Sequence, residues 1–324
     1  MNGSMHLFLR AIGFAEFDAE GEKKLIESAA AQSPENNLLM KKNEYYGRAE
    51  LLVPISDSTG ICVYGALEDV KDGSASSFRP IYYYPMLMGS SRSDNDELSI
   101  ERHYDKESYE VICDDLKPGV TLMFYLQNAL DYLMYRQGRV ESGKEKPDYF
   151  MLDRKNPAEK DAISGKDVIL SALSVGGMII LPTASRSTSR RPVSGREAAK
   201  DAARRNLLAA AKNGDQDAIE SLTIDDLDTY TAISRRIMNE DVLSIVDTSF
   251  MPCGVECDQY SVIGEILEVD NQTNVITDEK IWILKLICND IVFDMAINEA
   301  DLVGEPAVGR RFKGVVWLQG EVLI

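Results

Sequence analysis

The chain has 324 residues, with 35 Lys and Arg against 53 Asp and Glu, for a formal net charge of −18 at pH 7. At 44% hydrophobic and 27% charged it has the composition of a folded globular protein, with material for about two domains. The acid excess weighs against nucleic acid and against a membrane surface as partners, because both kinds of binding run on clustered Lys and Arg.

Five cysteines at irregular spacing do not make a disulfide framework and point to a reducing compartment. The start of the chain lacks the basic, apolar, small-residue order of a secretory signal. Residues 120–135 are apolar but interrupted by Gln127, Asn128 and Asp131, and 168–181 is shorter than the roughly 20 residues a spanning helix needs. These features together lead to the expectation of a cytoplasmic protein.

In chain order, the spacing of Leu25, Ile26 and Ala29 predicts a helix over 18–31. Residues 50–55 and 61–67 read as strands joined by Asp57-Ser58-Thr59-Gly60, with Pro54 marking the first as an edge strand. The aromatic run Tyr82-Tyr83-Tyr84 lies in a β-prone stretch over 78–88, and 98–102 with 109–114 form an antiparallel pair. Leu122, Leu126, Ala129, Leu130, Leu133 and Met134 fall at helical spacing and predict one substantially buried helix. Residues 175–181 read as a buried strand.

Residues 182–195 are rich in Ser, Thr, Arg and Pro and predict a mobile basic linker. Helices follow over 196–212, 215–222 and from a Thr223 cap to about residue 238. The last part reads as antiparallel β, with strands over 260–269, 281–288, 291–297 and 312–318. Asn289-Asp290 makes a two-residue hairpin, and Asn298 caps a short helical turn. Residues 281–288 are apolar on both alternating faces, as in a strand covered on both sides.

The fold class expected is therefore α+β. A mixed domain over 1–181 precedes the 182–195 linker, a helical segment over 196–240 and a small antiparallel β-barrel-like module over 241–324. Counted by segment, the charge is −9 over 1–181, +6 over 182–212, −7 over 213–250 and −8 over 251–324. The acidic chain thus carries one basic island at its clearest boundary.

Two stretches carry a resemblance. One is Met5-His-Leu-Phe-Leu-Arg-Ala-Ile-Gly-Phe14. The other runs from Ile224-Asp-Asp-Leu-Asp-Thr-Tyr230 through Phe250-Met-Pro-Cys-Gly-Val-Glu-Cys-Asp-Gln-Tyr260 and 304–314 to Trp317-Leu-Gln-Gly320. The chain resembles an uncharacterised bacterial family, domain of unknown function 3881, from Met5 over nearly its whole length. That resemblance implies a bacterial, cytoplasmic protein and carries over no activity or functional residue.

The chemistries can be tested one by one. Ser164-Gly165-Lys166-Asp167 lacks the upstream Gly and following Ser or Thr of a phosphate loop, and no dinucleotide fingerprint is present. Cys253, Glu256, Cys257 and Asp258 are the densest set of reactive types. Two thiols without further nearby ligands do not define a metal site, so no metal and no cofactor are expected. The two histidines, His6 and His103, sit in no nucleophilic constellation. A basic set, Arg190, Arg191 and Arg196, and an aromatic-basic set, Arg310, Arg311 and Trp317, are candidate partner-binding residues. The leading expectation is a non-catalytic binding or interaction protein with a protein partner. The alternatives are an enzyme with a carboxylate or Cys/acid site in a cleft between modules, and a single-strand nucleic-acid binder through the last module.

Overall fold

The first turns follow from local sequence. A 3-10 segment, Leu7–Ile12, ends at Gly13 with φ of 88°, where an added Cβ would lie 2.8 Å from the Asn274 side chain. Asp18 then caps helix α1 (Ala19–Ala30) by accepting the Gly21 N–H at 2.7 Å, at the start of the helix expected over 18–31. The structure is a computed structural model and describes residues 6–31, 39–43, 46–68, 77–93, 97–103, 107–113, 121–141, 161–182, 243, 246–254 and 257–324.

Strands β1 (Met40–Asn43), β2 (Arg48–Pro54), β3 (Thr59–Glu68) and β4 (Ser77–Leu87) form an antiparallel meander in that order. The edge expected of the Pro54 strand is corrected, since β1 pairs with the outer side of β2. Pro54 is the last residue of β2, beyond the β1 ladder, where its missing N–H leaves no gap.

A second sheet holds all later strands. They are β5 (Arg92–Ser93), β6 (Glu97–Arg102), β7 (Tyr109–Cys113), β8 (Leu122–Leu126), β9 (Asp161–Ser164), β10 (Val168–Ser174) and β11 (Gly177–Ile180), with helix α2 (Ala129–Glu141) after β8. After residue 247 come β12 (Ser249–Pro252), β13 (Gln259–Thr273), β14 (Lys280–Cys288) and β15 (Ile291–Asn298). A 3-10 turn (Glu299–Asp301), β16 (Leu302–Val303) and β17 (Arg311–Val322) complete the set.

Five of these strands close on themselves. Pairings run from β13 to β14, β15, β10 and β17, and from β17 back to β13; β10 and β15 are parallel and the other pairs antiparallel. A ring leaves no free edge among its members. The hairpin between β14 and β15 is the tight turn expected: Cys288 pairs with Ile291, and Asn289 and Asp290 take positive φ of 48° and 66°. Beyond the ring, β17 continues in parallel to β8 and from there to β7, β6 and β9.

The α+β class expected from sequence is corrected by these pairings, because the fold is mostly β. One cause is local. The helical spacing over 122–134 conceals a break: Leu122–Leu126 is a strand, and only from Ala129 does the chain turn helical. Ladder bonds of β8 to β7 and β17 override a propensity that Leu and Met leave open. The expected helical segment over 196–240 lies outside the described residues.

The chain divides into two compact units, Met1–Ile180 with Thr248–Ile324, and Leu181–Asp247. Strands β10 and β11 share one sheet with β13 and β17, so a boundary between 1–181 and a C-terminal module would run through a continuous sheet.

Two apolar cores fill the larger unit. One lies within the ring and under α2, around Phe124, Leu130, Leu286, Phe293 and Phe312. The other joins the four-stranded sheet to α1 and the first 3-10 segment, around Phe14, Ile26, Leu51 and Val63. β14 serves both: Ile281 and Ile283 pack in the second core while Leu284 and Leu286 pack in the first. That is the reason both faces of this strand are apolar.

Candidate functional site

Strand β2 carries one acid in an apolar run, Ala49-Glu50-Leu51-Leu52-Val53. Glu50 is 8% exposed and its Oε1 accepts the backbone N–H of Leu130 at 3.0 Å. Leu130 lies in the first turn of α2, whose amides have no intrahelical acceptor. Asn128, directly before that helix, bonds elsewhere: its Nδ2 donates to the Val322 carbonyl at 2.9 Å and its Oδ1 accepts the Val322 N–H at 3.1 Å. Glu50 therefore supplies from another sheet an acceptor that a local cap would otherwise provide.

Burial pushes the Glu50 carboxyl up to about 8. The Leu130 N–H and Lys41 pull it down, while Asp131 and Glu321 push it further up. Asp131 receives the Lys41 ammonium, with Nζ 3.1 Å from Oδ2. Partial desolvation works against that ammonium, but the bond to Asp131, helped by Glu50 and Glu321, raises its pKa. Glu321 near the end of β17 is also raised, first by burial, with Lys41 opposing and Asp131 adding to the effect. One ammonium thus faces three carboxyl groups.

Asp131 and Glu321 form part of the wall of an open groove of about 490 Å3. Asn128, Val322, Arg92, Lys166 and Asp167 also line it. Lys166 holds its ammonium 6.0 Å from the centre of the Tyr135 ring. The volume falls within the range of ligand pockets. Chemically the groove lining offers three carboxylates, Asp131, Asp167 and Glu321, beside two cations, Arg92 and Lys166. Among the described residues no group of three or more His, Cys, Asp or Glu is arranged to hold a metal ion.

The residues singled out from sequence lie elsewhere. Cys253 is half-buried, and burial pushes its thiol up, the opposite of an activated thiolate. Cys257 is exposed, and Glu256 lies outside the described residues. Asp258 is 8% exposed, and its Oδ2 accepts the Trp317 Nε1–H at 2.6 Å. Trp317 itself is buried, stacked on Phe8 at 5.1 Å with Tyr125 edge-on at 5.2 Å. Arg311 is buried opposite Glu265 in the β13–β17 ladder, and Arg310 donates to the Glu305 carbonyl at 2.6 Å. Arg310, Arg311 and Trp317 therefore share no stacking surface. Arg190, Arg191 and Arg196 lie outside the described residues.

The aromatic run is structural. Tyr82 stacks on Tyr64 at 4.9 Å, Tyr84 donates to the Gln127 carbonyl at 2.7 Å, and Tyr83 donates to the Glu22 carboxylate. His103 Nδ1 lies 3.0 Å from Ser108 Oγ at the β6–β7 end. No helix among the described residues is long and apolar enough to cross a membrane.

Glu50, Asp131 and Glu321 were not legible as a set. They are up to 271 positions apart, and only the lone acid in an apolar strand gives a local signal.

No curated protein and no solved structure matches the chain. A family model does, over residues 9–320, described as "Domain of unknown function, E. rectale Gene description (DUF3881)". Since that match covers nearly the whole chain, the chain belongs to the DUF3881 family.

Proposed function

We propose that the protein is a non-catalytic cytoplasmic binding protein whose groove beside α2 takes a cationic segment of a partner protein. The observation that carries the reading is the excess of acids at the groove, where Asp131, Asp167 and Glu321 line it against Arg92 and Lys166, and where Asp131 and Glu321 share the charge of Lys41 with Glu50 close by. A guanidinium or ammonium entering there meets carboxylates already partly stripped of water, where attraction is stronger than at an open surface. The overall charge of −18 steers a basic partner toward the protein at low salt.

The enzyme reading draws on Glu50 as a carboxyl shifted into the range of acid-base catalysis. Against it, the groove is lined by Asp131, Asp167 and Glu321, not by Glu50.

The test is titration of the protein into a fluorescent hexa-arginine peptide at low ionic strength, followed by anisotropy. The wild type should bind, and Glu321→Lys combined with Asp167→Lys should weaken binding at least tenfold while circular dichroism stays unchanged. Equal affinity of the double variant would remove the groove as the site.

A further inference from the structure

Glu50 has no place in the groove lining, yet it is tied electrostatically to two residues that line it, Asp131 and Glu321. We propose that filling the groove with a cationic group drives a proton off Glu50, so that the protein releases a proton to solvent as it captures its partner. This rests on the cation-binding reading of the groove and adds to it a pH dependence of capture.

The geometry supplies both halves of the coupling. Glu50 is nine-tenths buried, and the Leu130 N–H at 3.0 Å is positioned to hold its anionic form once that form is favoured. The charged groups facing it come from three elements: Lys41 of β1, Asp131 of α2 and Glu321 of β17. From β3 comes the Cys62 thiol, which burial keeps neutral; the hydroxyls of Tyr64, Tyr82, Tyr84 and Tyr125 are likewise held neutral by burial. Burial is the first cause that keeps the proton on Glu50 at neutral pH; among its ionising partners Asp131 and Glu321 add to that effect and Lys41 opposes it.

A cation placed against Asp131 and Glu321 works against that retention. It screens both repelling carboxylates and adds its own attraction, and each change favours the Glu50 anion. The O–H bond of the Glu50 carboxyl breaks, the electron pair stays on the carboxylate, and the proton passes to buffer. By linkage, a partner that displaces a proton binds more tightly as pH rises, up to tenfold per pH unit while Glu50 is protonated in the free protein.

The experiment is calorimetric titration of the full chain with hexa-arginine at pH 7 in phosphate and in Tris. These buffers differ in ionisation enthalpy and so count protons released. The wild type should release a substantial fraction of one proton per peptide bound and gain affinity from pH 6 to pH 8. Glu50→Gln should bind with no such release and with flat pH dependence. Equal proton counts for the two proteins would overturn the inference while leaving the groove reading standing; absence of any binding to the wild type would overturn both. A 13C carboxyl titration of Glu50 in the wild type checks the same point without a variant. Its midpoint should move down when peptide is saturating, and an unmoved midpoint would refute the coupling.

Discussion

Two joints tie segments distant in sequence together through carboxylates, and they treat charge differently. At the first, the Leu7–Ile12 segment meets the β13–β14 turn and the 3-10 turn after β15. Arg10 Nε lies 2.6 Å from Asp301 Oδ2, Glu279 accepts the Ala15 N–H at 3.1 Å, and Asn298 donates to the same Glu279. Asn274 donates to the carbonyls of Ile12 and Gly13, both at 2.9 Å. Each acid here has its own donors. At the second joint, where β1 and β2 meet α2 and β17, the carboxyl groups of Glu50, Asp131 and Glu321 face one lysine, and burial raises two of them. Matched charge fixes a fold, whereas a local deficit of cations leaves binding energy for something else.

The largest effect that would sharpen this contrast is in the pH dependence of stability. Glu50 has a folded pKa of about 8 against an ordinary value of 4.5. The folded state therefore holds a proton that the unfolded chain gives up. The contribution is fully present below about 4.5 and is lost as pH rises toward about 8. Denaturant unfolding should show wild-type stability falling by at most about 1.4 kcal/mol per pH unit across that window. In Glu50→Gln, where the amide oxygen can still accept the Leu130 N–H, this slope should fall to the smaller part that Glu321 supplies. An undiminished slope in the variant would mean that Glu50 is not the group responsible.

Next in size is the matched joint. Asn274 is fully buried, and its Oδ1 also accepts the N–H of Ile276 at 2.8 Å. Asn274→Ala leaves two carbonyls and an amide without these partners and should cost about 2–4 kcal/mol by thermal or denaturant unfolding. Hexa-arginine affinity measured well below the unfolding transition should not change. A matching loss of affinity would show that the two joints are not independent.

The same contrast explains what could be read from the chain in advance. Features set by neighbours in sequence were legible: the helix over 18–31, the Asn289-Asp290 hairpin and the two-faced apolar strand 281–288. The β8 strand was not, because Leu122–Leu126 carries spacing that suits a helix, and only its ladder partners at 109–113 and 319–320 decide otherwise. The closure of the ring was hidden for a related reason. It needs β10, which lies before a segment of more than 60 residues, to pair with β15 and β17 after it. The candidate site was least legible. Cys253–Asp258 drew notice as a cluster of reactive types, yet Asp258 is committed to Trp317, a partner 59 positions away. Glu50 acquires its character from Leu130, 80 positions away. Long-range partners, not residue type, decide the surroundings of each acid in this chain.

The smallest effect isolates the lysine. Lys41 is exposed, so its pair with Asp131 is screened by solvent and contributes about 0.5–1 kcal/mol at most. Its role beyond that pair is to offset Glu50 and Glu321, and this matters only where those groups are ionised. Lys41→Met should therefore destabilise the protein more at pH 8 than at pH 5, where Glu50 is neutral and the remaining pair is a surface one. Arg10→Met at the matched joint provides the control. Asp301 is its principal partner, so its loss should be nearly the same at both pH values. Chemical denaturation of both variants at the two pH values measures the difference directly. If Lys41→Met proved as insensitive to pH as Arg10→Met, the lysine would serve Asp131 alone, and the groove wall would no longer differ in kind from the joint around Arg10.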